Sequence, residues 1–277
     1  MGESTDMKKL RKGALYAGLM LCFLFSALPA AAAETESELT DSAGEEITGI
    51  ISAMDNEIAL LLQNAEIDHV ERRGSMDFHV GTLCGKNVVI VKGGIGKVRS
   101  AAGAAALLDS FGPARVIFTG IAGGVSDETQ VLDVVVAEDL VQHDYGIMSN
   151  DGFEWSEGTG GENCRVFCDP ELVRLAHDAA AEVVGEDHVF QGTIVTGDQF
   201  IASESYVELL QENFKAMACE MEGASVGIVC TEYEVPFVVI RTMSDKADGL
   251  AHDTYENMAD LAADHSSEVV MQMLKNM

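Results

Sequence analysis

The chain has 277 residues, with 17 Lys and Arg against 46 Asp and Glu, for a formal net charge of −29. An acidic surface of that size argues against nucleic acid or an anionic membrane as a partner, because either would repel it. Solvation and repulsion between copies account for most of the charges, and the 47% hydrophobic content is ample for one core.

Lys8, Lys9, Arg11 and Lys12 form a short basic region, followed by an apolar run over Ala14–Leu28, then Pro29 and the alanines Ala30 to Ala33. That order predicts a cleavable secretory signal over residues 1–33, hence an exported protein with no stable membrane association once the signal is removed. An uncleaved anchor is the rival reading, but the apolar run falls short of the roughly 20 residues a spanning helix needs. Glu34–Glu46 is acidic and without apolar periodicity, so residues 34–46 are expected to be a flexible linker. Residues 47–277 then have the size of one α/β domain.

From Ile47 onward, short apolar runs alternate with longer amphipathic stretches. Ile47–Ala53 is predicted as a strand and Asp55–Asn64 as a helix. Phe78–Leu83 and Asn87–Lys92 are strands joined at a Cys84–Gly85 turn. Gly93, Gly94 and Gly96 open a helix over Val98–Ser110, and Arg115–Thr119 is a buried strand. Asp133–Ala137 and Asp139–His143 are two further strands, and Gly146–Asn163 is a surface loop. Helices are predicted over Glu171–Val184, Ser205–Asn213, Glu222–Tyr233 and Tyr255–Lys275, and strands over Val189–Thr196, Ala216–Glu220 and Pro236–Thr242. Such alternation predicts an α/β fold, a single domain with a central mixed β-sheet flanked by helices on both faces. Ligands are then expected at strand ends and in the loops that follow them.

Five cysteines lie outside the apolar leader: Cys84, Cys164, Cys168, Cys219 and Cys230. An odd number cannot pair completely within one chain; Cys164 and Cys168 could pair across a loop in an oxidising compartment, but their spacing does not require it. Cys84, Cys219 and Cys230 are expected to be small buried residues. No cluster of His and Cys suggests a metal site.

Chemistry-bearing residues gather at the strand ends: Ala53-Met54-Asp55-Asn56-Glu57, Gly120-Ile121-Ala122-Gly123-Gly124, Thr196-Gly197-Asp198-Gln199-Phe200-Ile201, Glu220-Met221-Glu222-Gly223 and Arg241-Thr242-Met243-Ser244-Asp245. Each alone has a plain explanation. Acids at helix starts complement the helix dipole, glycines after strands allow tight turns, and Phe200 would suit a core. Gly93-Gly94-Ile95-Gly96 lacks the Lys-Ser/Thr ending of a phosphate-binding loop. As an ordered set, joined by Gly94-Ile95-Gly96-Lys97-Val98 and Ser244-Asp245 through Ala247-Asp248, they are specific. The chain resembles the 5′-methylthioadenosine/S-adenosylhomocysteine nucleosidases of the nucleoside phosphorylase superfamily, over nearly all of Ile47–Met277.

The resemblance implies hydrolysis of an N-ribosidic bond through an oxocarbenium-like transition state, with adenine leaving and water attacking. It implies that Asp245, oriented by Ser244, serves purine N7 as acid with a raised pKa, and that Glu57 activates water with Arg241 as a further catalytic residue helping to hold the water network. Glu222 would grip the ribose hydroxyls and offset developing positive charge, and Met221 would pack on the sugar. Phe200 would stack on adenine and the Ile201 backbone would read its edge, with Met54, Ala122, Gly123 and Tyr255 completing the substrate site. Glu220 is expected to be structural, Asp198 a loop brace, and His143-Asp144 without a catalytic role. A purine nucleoside substrate, a homodimer and no cofactor or metal follow from the same resemblance.

Glu57 also bears on the reaction type directly. A phosphorolytic site must neutralise a dianion, and a carboxylate in the first strand's loop would repel it. Ile121 departs from the family, where a small hydroxyl residue is common, and an export signal is unusual for an enzyme of intracellular metabolism. Two alternatives therefore stand: a nucleosidase for another purine ribosyl compound, such as aminodeoxyfutalosine, or a nucleoside-binding protein without turnover. A binder needs no water-activating base, and Glu57, Glu222 and Asp245 are all in place.

Overall fold

In this computed structural model, residues 46–155 and 165–277 are described. The expected signal, nearly all of the linker, residues 156–163 of the expected loop and Cys164 lie outside the described residues. The sheet grows from β1 (Thr48–Ser52), every residue of which is buried. β1 lies parallel between β4 (Lys86–Lys92) and β5 (Arg115–Gly124). Beyond β4, β3 (Met76–Leu83) and β2 (Glu66–Arg73) continue antiparallel to the edge. β5 pairs in parallel with β12 (Phe237–Asp245), and β12 runs antiparallel to β6 (Val134–Gln142). β10 (Val189–Thr196) and β11 (Ala216–Glu220) follow in parallel. β11 then returns to meet β5 at Gly123 and Gly124, bending the sheet back on itself where the functional loops lie.

Central strands with both faces covered read as continuous apolar runs. β12 illustrates this, being buried throughout from Phe237 to Asp245. Its apolar half packs with Ile50, Ile117, Phe118 and Leu107 in the main core, where full burial of each such side chain contributes about 1.5–3 kcal/mol. α6 (Ala251–Asn276) lies against β5 and β12, beside α1 (Asp55–Asn64) and α3 (Pro170–Val184). α2 (Lys97–Phe111) and α5 (Gly223–Glu232) form a second helical pair, and α4 (Glu204–Phe214) covers β10 and β11. Local chemistry fixes the helix ends. Asp169 accepts hydrogen bonds from the Glu171 and Leu172 N–H groups ahead of Pro170, and α2 opens after Gly94 and Gly96, whose φ angles are +93° and +95°. No described helix is long and apolar enough to cross a membrane.

The expected mixed sheet with flanking helices is what forms, with local corrections. Asp133–Ala137 and Asp139–His143 are not two strands but the single β6. The pairing with β10 passes from Ala137 directly to Asp139, so Glu138 is the extra, outward residue of a bulge. The loop expected from Gly146 begins instead as a hairpin of β7 (Gly146–Ser149) and β8 (Gly152–Trp155). β2 and the short β9 (Arg165–Phe167), which pairs with β6, were not expected. Cys84 is half-buried rather than buried, at φ +52° in the turn before β4. Cys168, Cys219 and Cys230 are buried free thiols.

Candidate active site

The ends of β1, β5, β10, β11 and β12 open on a cavity of about 490 Å³, a size suited to a small organic ligand. It is lined by Met54, Glu57, Ala122, Gly123, Phe200, Ile201, Met221, Glu222, Ser244, Asp245 and Tyr255. The sequence-derived site is thus assembled in one place, with the exception of Arg241. Glu57, Glu222 and Asp245 are buried, whereas Phe200 and Ile95 are exposed at its rim.

Glu57 sits in the first turn of α1 with its carboxylate turned back into the sheet. Oε2 accepts the N–H groups of Ala53 and Met54, both at 2.8 Å, and Oε1 accepts that of Ile121 at 2.9 Å. Burial raises its pKa, against the pull of Arg241 and these N–H donors. Glycine is required at position 120, because a Cβ there would collide with both the Glu57 carboxylate and the Arg241 guanidinium.

Arg241 is fully buried and does not line the cavity. Its guanidinium donates to Glu220, lies 3.6 Å from Glu222 and stacks over Phe118, 4.2 Å from the ring centroid. Its position is behind the carboxylates, as their shared counter-charge. Burial works against its charge, but Glu220, Glu57 and Glu222 more than offset that and raise its pKa. Glu220 also receives the Thr196 hydroxyl and the N–H groups of Glu222 and Gly223, which anchors the start of α5 in keeping with its expected structural role.

Glu222, at the N-cap of α5, accepts the Gly96 N–H at 2.8 Å. Burial first, and then the Glu220 charge, push its carboxyl up to about 8. Asp245 is positioned by an irregularity in strand pairing. Met243 faces Ala122 but Asp245 faces Gly123, so Ser244 is the additional residue that re-aims the acid. The Ser244 hydroxyl donates to Asp245 Oδ2 and the Ala247 N–H to Oδ1, both at 2.8 Å. Burial nevertheless raises the Asp245 pKa.

Phe200 meets Tyr255 edge-on, with centroids 5.7 Å apart, so it is a rim residue and not core. Asp198 accepts the Lys97 N–H, and Asp144 receives both Lys97 Nζ and the Asp198 N–H. These contacts make both acids loop braces. His252 and Glu256, an i,i+4 pair at the start of α6, line the cavity without having been singled out. Their four-residue spacing, about one helical turn, beside Tyr255 was the available signal. No group of His, Cys, Asp or Glu arranged to hold a metal occurs among the described residues.

The sequence model described as the phosphorylase superfamily matches residues 47–275. A 5′-methylthioadenosine/S-adenosylhomocysteine nucleosidase of Aeromonas salmonicida is 35% identical over 228 residues, covering 82% of this chain and 97% of that protein. One from Geobacillus is 35% identical over 229 residues, covering 82% of this chain and 97% of that protein. Among solved structures, the nucleosidase of Neisseria meningitidis in complex with methylthio-immucillin-A superimposes with a TM-score of 0.78 at 33% identity, over 84% of this chain and 100% of that one. A futalosine hydrolase of Helicobacter pylori gives 0.76 at 31% identity, over 84% and 99%.

Proposed function

We infer the function of this chain from its family: it belongs to the phosphorylase superfamily and, within it, to the 5′-methylthioadenosine/S-adenosylhomocysteine nucleosidases. It is an N-glycosyl hydrolase that releases adenine and the thioribosyl sugar. The observation that carries hydrolysis over phosphorolysis is the seat of Glu57. The backbone N–H groups of Ala53, Met54 and Ile121 form an anion-binding cup, and the chain's own carboxylate fills it. A phosphate dianion would find those donors taken and a negative charge in its way.

The chemistry follows from the placement of the three acids. Asp245, whose pKa burial raises, donates to N7 as the C1′–N9 bond breaks and its electron pair passes to the purine. Glu222 accepts the ribose hydroxyls, and in its ionised form it offsets positive charge at C1′. Water bound by Glu57 attacks C1′ and gives its proton to that carboxylate. Adenine stacks on Phe200 with its edge read by the Ile201 backbone, and Met221 packs against the sugar.

We further propose export by the N-terminal signal and function as a homodimer. The order of basic region, apolar run and alanines supports the first. Exposed Ile95 on the cavity lining, Val98 in the first turn of α2, and Ile147 and Met148 on the β7–β8 hairpin support the second as apolar surface suited to a second copy. The likeness to a futalosine hydrolase, at a TM-score of 0.76, favours a second reading in which the 5′ group is larger and more polar. Adenine release by the mature protein, measured side by side with methylthioadenosine, S-adenosylhomocysteine, adenosine and aminodeoxyfutalosine, separates these. Highest kcat/KM on a thio-nucleoside supports the main reading; turnover of aminodeoxyfutalosine alone replaces it with the second.

A further inference from the structure

We propose that Lys246 is a positioning residue, whose ammonium ties the turn after β5 to the end of β12 and so holds the Asp245 carboxyl toward the base subsite. The proposal rests on the acid role given to Asp245 above.

An ammonium has three donors, and at Lys246 all of them have partners in one turn. Nζ lies 2.6 Å from the Ser126 carbonyl oxygen, 2.5 Å from that of Thr129 and 3.2 Å from the Thr129 hydroxyl. The Thr129 hydroxyl also donates to the Ser126 carbonyl at 3.0 Å, closing the cup from below. The lysine is half-buried, and burial lowers its pKa against the charges of Asp127, Asp133 and Asp248. A solvated surface lysine would extend toward those acids, whereas this one is inserted among carbonyls. Gly124 makes room for it, because a Cβ there would sit 2.9 Å from the Thr129 hydroxyl and 3.4 Å from Lys246 Nζ.

The corner that Lys246 secures is loaded. Ala247 has φ +54°, a left-handed conformation rare outside glycine that persists where the surroundings over-determine it. From that conformation its N–H reaches Asp245 Oδ1 at 2.8 Å, and its carbonyl receives the Ser203 N–H at 2.8 Å, just past Phe200 and Ile201. Its side chain packs against Gly123, where an added Cβ would come within 3.0 Å of Ala247 Cβ. One residue on, Asp248 receives the N–H of Leu250 through its side chain and that of Ala251 through its carbonyl, setting the start of α6. The acid, Phe200 with Ile201, and the helix bearing Tyr255 therefore meet at a turn whose lysine side chain is anchored to the turn after β5. Without the anchor, the turn can relax toward an ordinary φ and carry the Ala247 N–H away from Asp245.

A displaced acid harms only leaving groups that need a proton. The test compares Lys246→Met, which keeps the stem and removes the donors, with Lys246→Arg, which restores donors to the carbonyls. Each is assayed on methylthioadenosine and on the 4-nitrophenyl riboside bearing the same 5′-methylthio group, whose leaving group departs unprotonated. Lys246→Met is expected to lose kcat on methylthioadenosine by on the order of tenfold, with KM changing much less and the nitrophenyl substrate losing under about threefold. Lys246→Arg is expected to recover most of the loss. Equal losses on both substrates, or no loss on either, would overturn the proposal. Should the Met variant not fold, Thr129→Val removes one partner of the ammonium, and its smaller loss must show the same preference for methylthioadenosine. A wild-type protein inactive on methylthioadenosine would instead refute the nucleosidase reading, whatever the variants do.

Discussion

The Glu57 carboxylate accepts the backbone N–H of Ile121 at 2.9 Å, joining the first turn of α1 to the far part of β5. With Ala53 and Met54 on its other oxygen, the acid is fixed by the main chain of two adjacent strand ends. Ile121 presents its N–H to the carboxylate and borders the cavity, and its side chain is buried among Ala259, Ala262 and Ala263 of α6. That position therefore shapes the pocket without contributing a hydroxyl to the water's surroundings.

Glu57→Gln should abolish hydrolysis while leaving nucleoside binding within a few fold. Its amide oxygen can serve Ala53 and Met54, but the amide nitrogen then faces the Ile121 N–H. An unmet buried donor costs about 1–3 kcal/mol, so a modest fall in the urea midpoint should accompany the lost turnover. Binding followed by calorimetry with an adenine nucleoside, alongside adenine release, checks both parts.

Asp245→Asn keeps the shape of the acid but cannot supply its proton. The Ala247 N–H still finds an acceptor, so the fold should be unaffected. Turnover of methylthioadenosine should fall by about 10²–10⁴-fold, the usual contribution of a general acid. Single-turnover kinetics with saturating enzyme would isolate the chemical step; an unchanged rate removes Asp245 from the mechanism.

Much of this arrangement was legible in the sequence because Glu57, Glu222 and Asp245 each follow a short apolar run that can only be a strand. Other features depend on pairing between distant segments. Ser244 is additional only relative to Ala122 and Gly123 on β5, and Arg241 is sealed behind the site because Glu220 arrives from β11. Glu138 interrupted two apolar runs and so suggested a break, whereas it bulges outward from a continuous strand. β2 carries too many charges to show an apolar alternation, as suits an exposed edge. The Ser149-Asn150-Asp151-Gly152 turn did carry a hairpin signal, masked by the polar residues around it.

Glu222 predicts a pH dependence of stability. Its carboxyl titrates near 8 in the folded protein, held up by burial and by Glu220, against an ordinary value of 4.5. Between those values the folded protein keeps a proton that the unfolded chain has released, so its stabilising contribution is full below 4.5 and is lost as pH rises toward 8. The melting temperature should fall over that window, and Glu222→Gln, permanently neutral, should flatten the fall. Calorimetric scans at half-unit pH steps test the difference; parallel curves for the two proteins would refute it.

Arg241→Met should be among the most destabilising substitutions available. The guanidinium is fully buried and faces Glu220 and Glu222, with Glu57 close by. Removing one member of such a buried cluster leaves uncompensated charge and costs about 3–5 kcal/mol. Urea unfolding provides the check, and a loss under about 1 kcal/mol would mean that protonation of the carboxyls already relieves the cluster.

The central claim is that water, not phosphate, takes the ribosyl group because Glu57 occupies the anion cup. The most direct measurement is adenine release from methylthioadenosine by the purified protein, in phosphate-free buffer and again with added phosphate, with the sugar product identified in each. Equal rates, and free 5-methylthioribose in both, are the predicted result. Release that requires phosphate and yields a ribosyl 1-phosphate would contradict it.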